Sequence, residues 1–121
     1  MSAAVIPVHA RAEARRALLE RELERWLPLL ISRERPDKII LFGSYPGGEI
    51  AEWSDIDMVI VREDEAPFLE RTRRVLALLQ PRVGLDVLVY TPAEYDQLSH
   101  SRGFFREEIV GKGVVLYERG C

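Results

Sequence analysis

Lys38-Ile39-Ile40-Leu41-Phe42-Gly43-Ser44, then a ten-residue spacer, then Asp55-Ile56-Asp57-Met58-Val59-Ile60-Val61, is the stretch from which the rest of the chain can be read. Its two apolar, β-branched runs are short and bounded by turn formers, so both read as strands. The first ends on Gly-Ser and the second opens on two aspartates. Successive side chains on a strand point to opposite faces, so Asp55 and Asp57 share one face while Ile56 and Met58 enter the other. If the two strands pair antiparallel, Gly43-Ser44 lies at the same sheet edge as the paired acids.

Working outward, Pro46, Gly47 and Gly48 make the spacer a loop with at most a short helical turn. Downstream, Glu65 to Gln80 reads as a helix with Phe68, Val75, Leu76 and Leu79 on one side, stopped by Pro81. Arg71, Arg73 and Arg74 read as its solvated face. Gly84 to Tyr90 reads as a third strand with Asp86 near its start. The intervening helix is long enough for a crossover, which returns the third strand parallel to the second and brings Asp86 to the same edge. Upstream, Leu19, Leu23, Trp26, Leu27 and Leu30 give Arg11 to Ser32 the period of an amphipathic helix, with a kink or break expected near Glu24 to Leu27 because of Pro28. Thr91-Pro92-Ala93-Glu94 has the spacing of a capping box. Phe104 onward reads as a further helix that turns at Gly111 and Gly113 into an edge strand, Val114 to Tyr117. The expected fold is α/β, a small mixed sheet flanked by helices, in a single domain spanning residues 1–121.

Composition narrows the function. With 17 basic and 20 acidic residues the formal charge is -3, so there is no global basic field and direct nucleic-acid binding is not expected. The one cysteine, Cys121, allows neither an internal disulfide nor a thiolate zinc site, which suits a reducing compartment. No apolar run approaches a membrane span and the first residues lack a signal-peptide core, so a cytoplasmic location is expected.

Three adjacent carboxylates repel one another, and at least one must take up a proton at neutral pH unless a cation intervenes. Divalent metal resolves the conflict. Magnesium favours a few carboxylates together with water and phosphate oxygens, and a pair of ions can activate an attacking oxygen while stabilising a leaving pyrophosphate. Gly43 permits close approach of backbone to phosphate, and Ser44 offers its hydroxyl and N–H.

Gly43-Ser44-x10-Asp55-x-Asp57, followed by Asp86 in an apolar strand, resembles the DNA polymerase β-like nucleotidyltransferases, and more narrowly their minimal members. The match runs from about Lys38 to Tyr90, and Val114-Val115-Leu116-Tyr117-Glu118 is similar as well. The resemblance implies that Gly43 and Ser44 contact a triphosphate and that Asp55, Asp57 and Asp86 hold two Mg²⁺ ions and carry the catalysis. It implies transfer of a nucleoside monophosphate, AMP from ATP or the equivalent from another nucleotide, to an acceptor hydroxyl. It further implies a small helical HEPN-type protein partner, toxin to this chain's antitoxin, and leaves self-association open. The pattern departs from the family at one position, since Gly47 stands where members often carry an arginine. That departure keeps a second reading alive, a nucleotide-binding module that neutralises its partner without turnover.

Around this core, Trp26 reads as a buried packing residue. Trp53 reads as loop packing, with contact to a base as the alternative. Tyr45 and Glu49 are candidates to line the pocket without chemistry. His9 and His100 read as solvated side chains rather than bases or ligands.

Overall fold

The computed structural model describes residues 8–48 and 50–120; Glu49 and Cys121 lie outside the described residues. Helix α1 spans Val8–Leu29 and runs on into a π-helical turn, Leu30–Glu34. Strand β1 (Lys38–Phe42), a one-turn helix α2 (Ser44–Gly47) and strand β2 (Ile56–Val61) follow. After helix α3 (Phe68–Leu79) come strand β3 (Leu85–Tyr90), helix α4 (Pro92–Ser101), a second π-helical segment (Phe105–Gly111) and strand β4 (Val114–Glu118). Among the described residues no helix is long and apolar enough to cross a membrane.

The sheet is mixed, in the order β3-β2-β1-β4. β1 pairs antiparallel with β2 and with β4, and β2 pairs parallel with β3 across the α3 crossover. Each face of the sheet has its own apolar cluster. On one, Ile39, Leu41, Ile56, Met58, Ile60, Val87 and Val89 pack against Leu19, Leu23, Trp26 and Leu30 of the first helix and Val75 and Leu79 of α3. On the other, Ile40, Val59 and Val61 meet Phe105 and Ile109, with Tyr95 and Leu98 of α4 beside them. The alternation along β2 therefore decides which side chains reach which layer.

Pro28 does not break the helix where the sequence suggests. α1 continues to Leu29, and the regular ladder gives way only afterwards, in the π-helical turn. Leu19, Leu23, Trp26 and Leu30 are all fully or nearly fully buried, and their packing favours the helix across the turn that proline weakens. Trp26 is in the core as expected, its indole N–H buried without an acceptor. The α4 capping box forms as read, with Thr91 Oγ1 accepting from the Glu94 N–H at 3.2 Å and Glu94 accepting from the Thr91 N–H at 2.8 Å.

The expectation for the α3 arginines needs correction. Only Arg73 is solvated. Arg71 is buried, donating to Glu94 Oε1 at 2.6 Å, to Ala66 O at 2.8 Å and to Val89 O at 3.2 Å, so it ties α3 to the capping box of α4. Arg74 grips buried Glu34 through Nε (3.1 Å) and Nη2 (2.8 Å) and also pairs with Asp64, while Arg62 approaches Glu34 at 3.3 Å. Burial alone would raise the Asp64 carboxyl, but hydrogen bonds from Arg74 and the Ala66 N–H hold it below the ordinary carboxylate range. Helical period cannot reveal such pairing, because the partners come from a turn and a strand end far away in sequence. Removing Glu34 leaves the half-buried Arg62 and Arg74 guanidiniums to share Asp64 alone. Glu34→Ala is expected to destabilise the protein by about 3 kcal/mol in urea denaturation, with an unchanged slope of free energy against denaturant.

Candidate active site

Register places the carboxylates. Phe42 of β1 lies opposite Asp57 of β2, and Asp57 lies beside Asp86 of β3, so the three form a row across the sheet at one end. By strand alternation this row is on the face that carries Val59 and Val61. α4 and the second π-helical segment cover only the far half of that face. The near half opens onto a cavity of about 500 Å³ lined by Phe42, Asp57, Asp86 and Leu88, with Phe68, Leu69 and Thr72 of α3 forming part of its wall.

Two glycines shape the site at carboxylate scale. Gly43, at φ 81° and ψ -152°, adopts a backbone conformation essentially confined to glycine, and a Cβ there would overlap Asp57 Oδ2. A Cβ on Gly84 would overlap the Asp55 carboxylate, and the Gly84 carbonyl accepts the Ile56 N–H at 3.0 Å. Gly84 was readable in the sequence only as the residue opening a strand; its role is to give Asp55 room. The backbone turn after Gly43 continues as the single turn α2, closed by Gly48 at φ 80°.

Electrostatics follows from that packing. Burial, then the charge of Asp86 and a hydrogen bond to it, then the charge of Asp55, push the Asp57 carboxyl from 3.8 up to about 6. The Asp57–Asp86 pair is thus an uncompensated concentration of negative charge at the open end of the sheet. Asp55 is differently placed. Its Oδ1 accepts from Arg15 Nη2 at 3.0 Å, and Arg15 Nε also donates to the Ser54 carbonyl at 2.7 Å. Among the described residues, no three acidic, imidazole or thiol side chains are grouped so as to hold one ion. The three aspartates reach one end of the sheet, Asp57 and Asp86 as register neighbours and Asp55 just before β2, bonded to Arg15.

The donor set nevertheless suits a divalent cation. Two adjacent carboxylates, Asp57 driven towards protonation by burial and by Asp86, are relieved by a cation, and the bare faces of Gly43 and Gly84 leave room for the carboxylates of Asp57 and Asp55. Ser44 Oγ lies 3.5 Å from Ser54 Oγ, which in turn accepts the Ala51 N–H at 2.9 Å. Ser54 is buried and organises the loop, and neither it nor Arg15 carries a sequence signal for the site beyond ordinary turn and helix-face residues. Tyr45 is half-buried against the core. Trp53, read as loop packing, is instead 74% exposed. His9 and His100 are both exposed, as expected.

Comparisons with known proteins agree with this geometry. Residues 24–120 match the family described as "Polymerase beta, Nucleotidyltransferase". A crystal structure of a Sulfolobus solfataricus protein, named as a candidate nucleotidyltransferase, superposes with a TM-score of 0.56 at 20% identity, covering 90% of this chain and 85% of that one. That likeness concerns the fold. No curated protein sequence matches the chain. The match over most of the chain, on a mixed sheet with Gly-Ser and paired aspartates at one end, places this protein in the polymerase β nucleotidyltransferase family, whose general chemistry is nucleotidyl transfer.

Proposed function

We propose that the protein transfers AMP from ATP to a hydroxyl on a small helical HEPN-type partner and so acts as an antitoxin. Asp55, Asp57 and Asp86 hold Mg²⁺, and Gly43 and Ser44 receive the triphosphate. The observation that carries the catalytic part is the contact between Asp57 and Asp86, one residue row from Gly43, on the uncovered half of the sheet. Divalent metal bound there would neutralise triphosphate charge and make the acceptor hydroxyl easier to ionise. Asp86 would take the acceptor proton. The acceptor oxygen forms a bond to the α-phosphorus as the bond to pyrophosphate breaks. Ser44 supplies hydroxyl and N–H donors to the phosphates, and the adjoining cavity gives the acceptor a place to lie. The AMP donor, the antitoxin role and the helical partner rest on family resemblance.

One observation favours a second reading, a binding module that masks its partner without turnover: Asp55 is engaged by Arg15 rather than gathered with the other two acids. The deciding experiment incubates the protein and a helical partner with Mg²⁺ and ATP and measures intact masses. An AMP-sized increase on the partner, lost in the Asp55→Asn, Asp57→Asn double variant, is the expected result. Tight binding with no mass change for any nucleoside triphosphate would leave the binding module as the better account.

A further inference from the structure

The cations that meet the phosphate-side loop come from helix α1. Residues 43–54 contain no lysine or arginine and carry Glu49 and Glu52. Arg11 pairs with Glu52 at 3.4 Å, and Arg16 Nη2 donates to the Gly48 carbonyl at 3.5 Å. Arg15 reaches furthest into the site, bonding Ser54 O and Asp55 Oδ1 together, with its side chain only 19% exposed. The Ser54 that it holds is the residue whose hydroxyl faces Ser44.

We propose that Arg15 is a positioning residue that competes with divalent metal for Asp55, so that metal enters together with nucleotide, whose phosphates take over the displaced guanidinium. The inference rests on the metal-dependent reading of the site. Asp55 Oδ1 cannot give the same lone pair to a guanidinium and to a metal ion, and a positive charge at ion-pair distance opposes the arrival of a second cation. A metal ion that takes Oδ1 on its own therefore breaks the Arg15–Asp55 pair without replacing it, and one that takes Oδ2 binds against the charge of the neighbouring guanidinium. When a triphosphate arrives with the metal, the guanidinium, still anchored on the Ser54 carbonyl, finds a polyanion at the neighbouring Ser44, and planar guanidinium groups pair well with phosphate oxygens. Metal and nucleotide binding are then coupled, each strengthening the other by the same factor. If Arg15 only clasped α1 to the loop, removing it would lower stability and leave metal affinity unchanged.

The test titrates Mn²⁺ into the whole protein, with and without a non-hydrolysable ATP analogue, and follows free Mn²⁺ by electron paramagnetic resonance. Arg15→Gln is expected to bind Mn²⁺ alone on the order of tenfold more tightly than the unsubstituted protein. The enhancement of Mn²⁺ affinity by the analogue should shrink by a similar factor. In an Asp55→Asn background, Arg15→Gln should no longer change Mn²⁺ affinity. Unchanged or weaker metal-only binding in Arg15→Gln, or an undiminished enhancement, overturns the proposal. Should Arg15→Gln fail to fold, Arg15→Lys, which keeps a cation but cannot bond both Ser54 and Asp55 in the same way, must move affinity in the same direction by a smaller factor. Mn²⁺ binding indifferent to residue 15 sinks this inference alone. No Mn²⁺ binding by any variant, with or without nucleotide, sinks the metal-dependent reading along with it.

Discussion

Asp57→Asn is expected to lower nucleotidyl transfer by about a thousandfold or more and, in the same molecule, to raise the stability of the metal-free protein. The loss follows from the position of Asp57 at the centre of the row, beside both Asp86 and the Gly43 turn, where, on the proposed function, its charge would hold the metal that meets the phosphates. The gain follows from the same crowding. In the folded protein the Asp57 carboxyl sits at about 6 against an ordinary 3.8. A carboxyl raised by folding contributes stability while it is protonated in the native state. That contribution is fully present below about pH 4 and is lost as pH rises through about 6. Above that range the charged group costs the native state about 1–2 kcal/mol, allowing for its partial exposure. Thermal denaturation in the presence of a chelator should therefore show the Asp57→Asn variant melting several degrees above the unsubstituted protein at pH 8. The difference should close towards pH 4. A variant that loses transfer with no stability gain at pH 8 would mean that the aspartates are less crowded than their packing implies.

Gly43→Ala is the second large effect, expected to destabilise the protein by about 2–4 kcal/mol and to abolish transfer. Two costs add at this position: a backbone conformation that residues with a Cβ rarely adopt, and overlap of the new methyl with Asp57 Oδ2. Gly84→Ala separates them. Its backbone is not in the left-handed region, so the new methyl meets only the Asp55 carboxylate, an end of a side chain that can turn away. We expect Gly84→Ala to unfold within about 1 kcal/mol of the unsubstituted protein in urea and yet to lose most of its transfer activity, because Asp55 has been moved. Equal destabilisation by the two substitutions would show that the Gly43 conformation carries no special cost.

The strands, their order of appearance and the parallel return of β3 beside β2 were legible because strand alternation and crossover length are local consequences of residue order, whereas the antiparallel pairing of β1 with β2 was a condition that the structure meets. Asp55, Asp57 and Asp86 could be assigned to one end of a mixed sheet on those grounds alone, and Gly43-Ser44 beside them. The capping box at Thr91 was equally local. Other features were settled only by packing. The first helix passes Pro28 with four apolar residues of that stretch buried, and no periodicity gives the weight of such burial against a missing hydrogen bond. Arg71 and Arg74 sit on what looked like a solvated face, yet their partners Glu94, Glu34 and Asp64 lie on other elements. The same holds at the site. That Asp57 and Asp86 touch while Asp55 is held by Arg15, 40 residues away in the chain, depends on where helix α1 crosses the loop. Sequence by itself determined the chemistry brought to this edge, because spacing along a strand sets which side chains share a face. Only the tertiary structure decided which of those charges meet each other and which meet a cation, because that depends on contacts between elements that residue order leaves free.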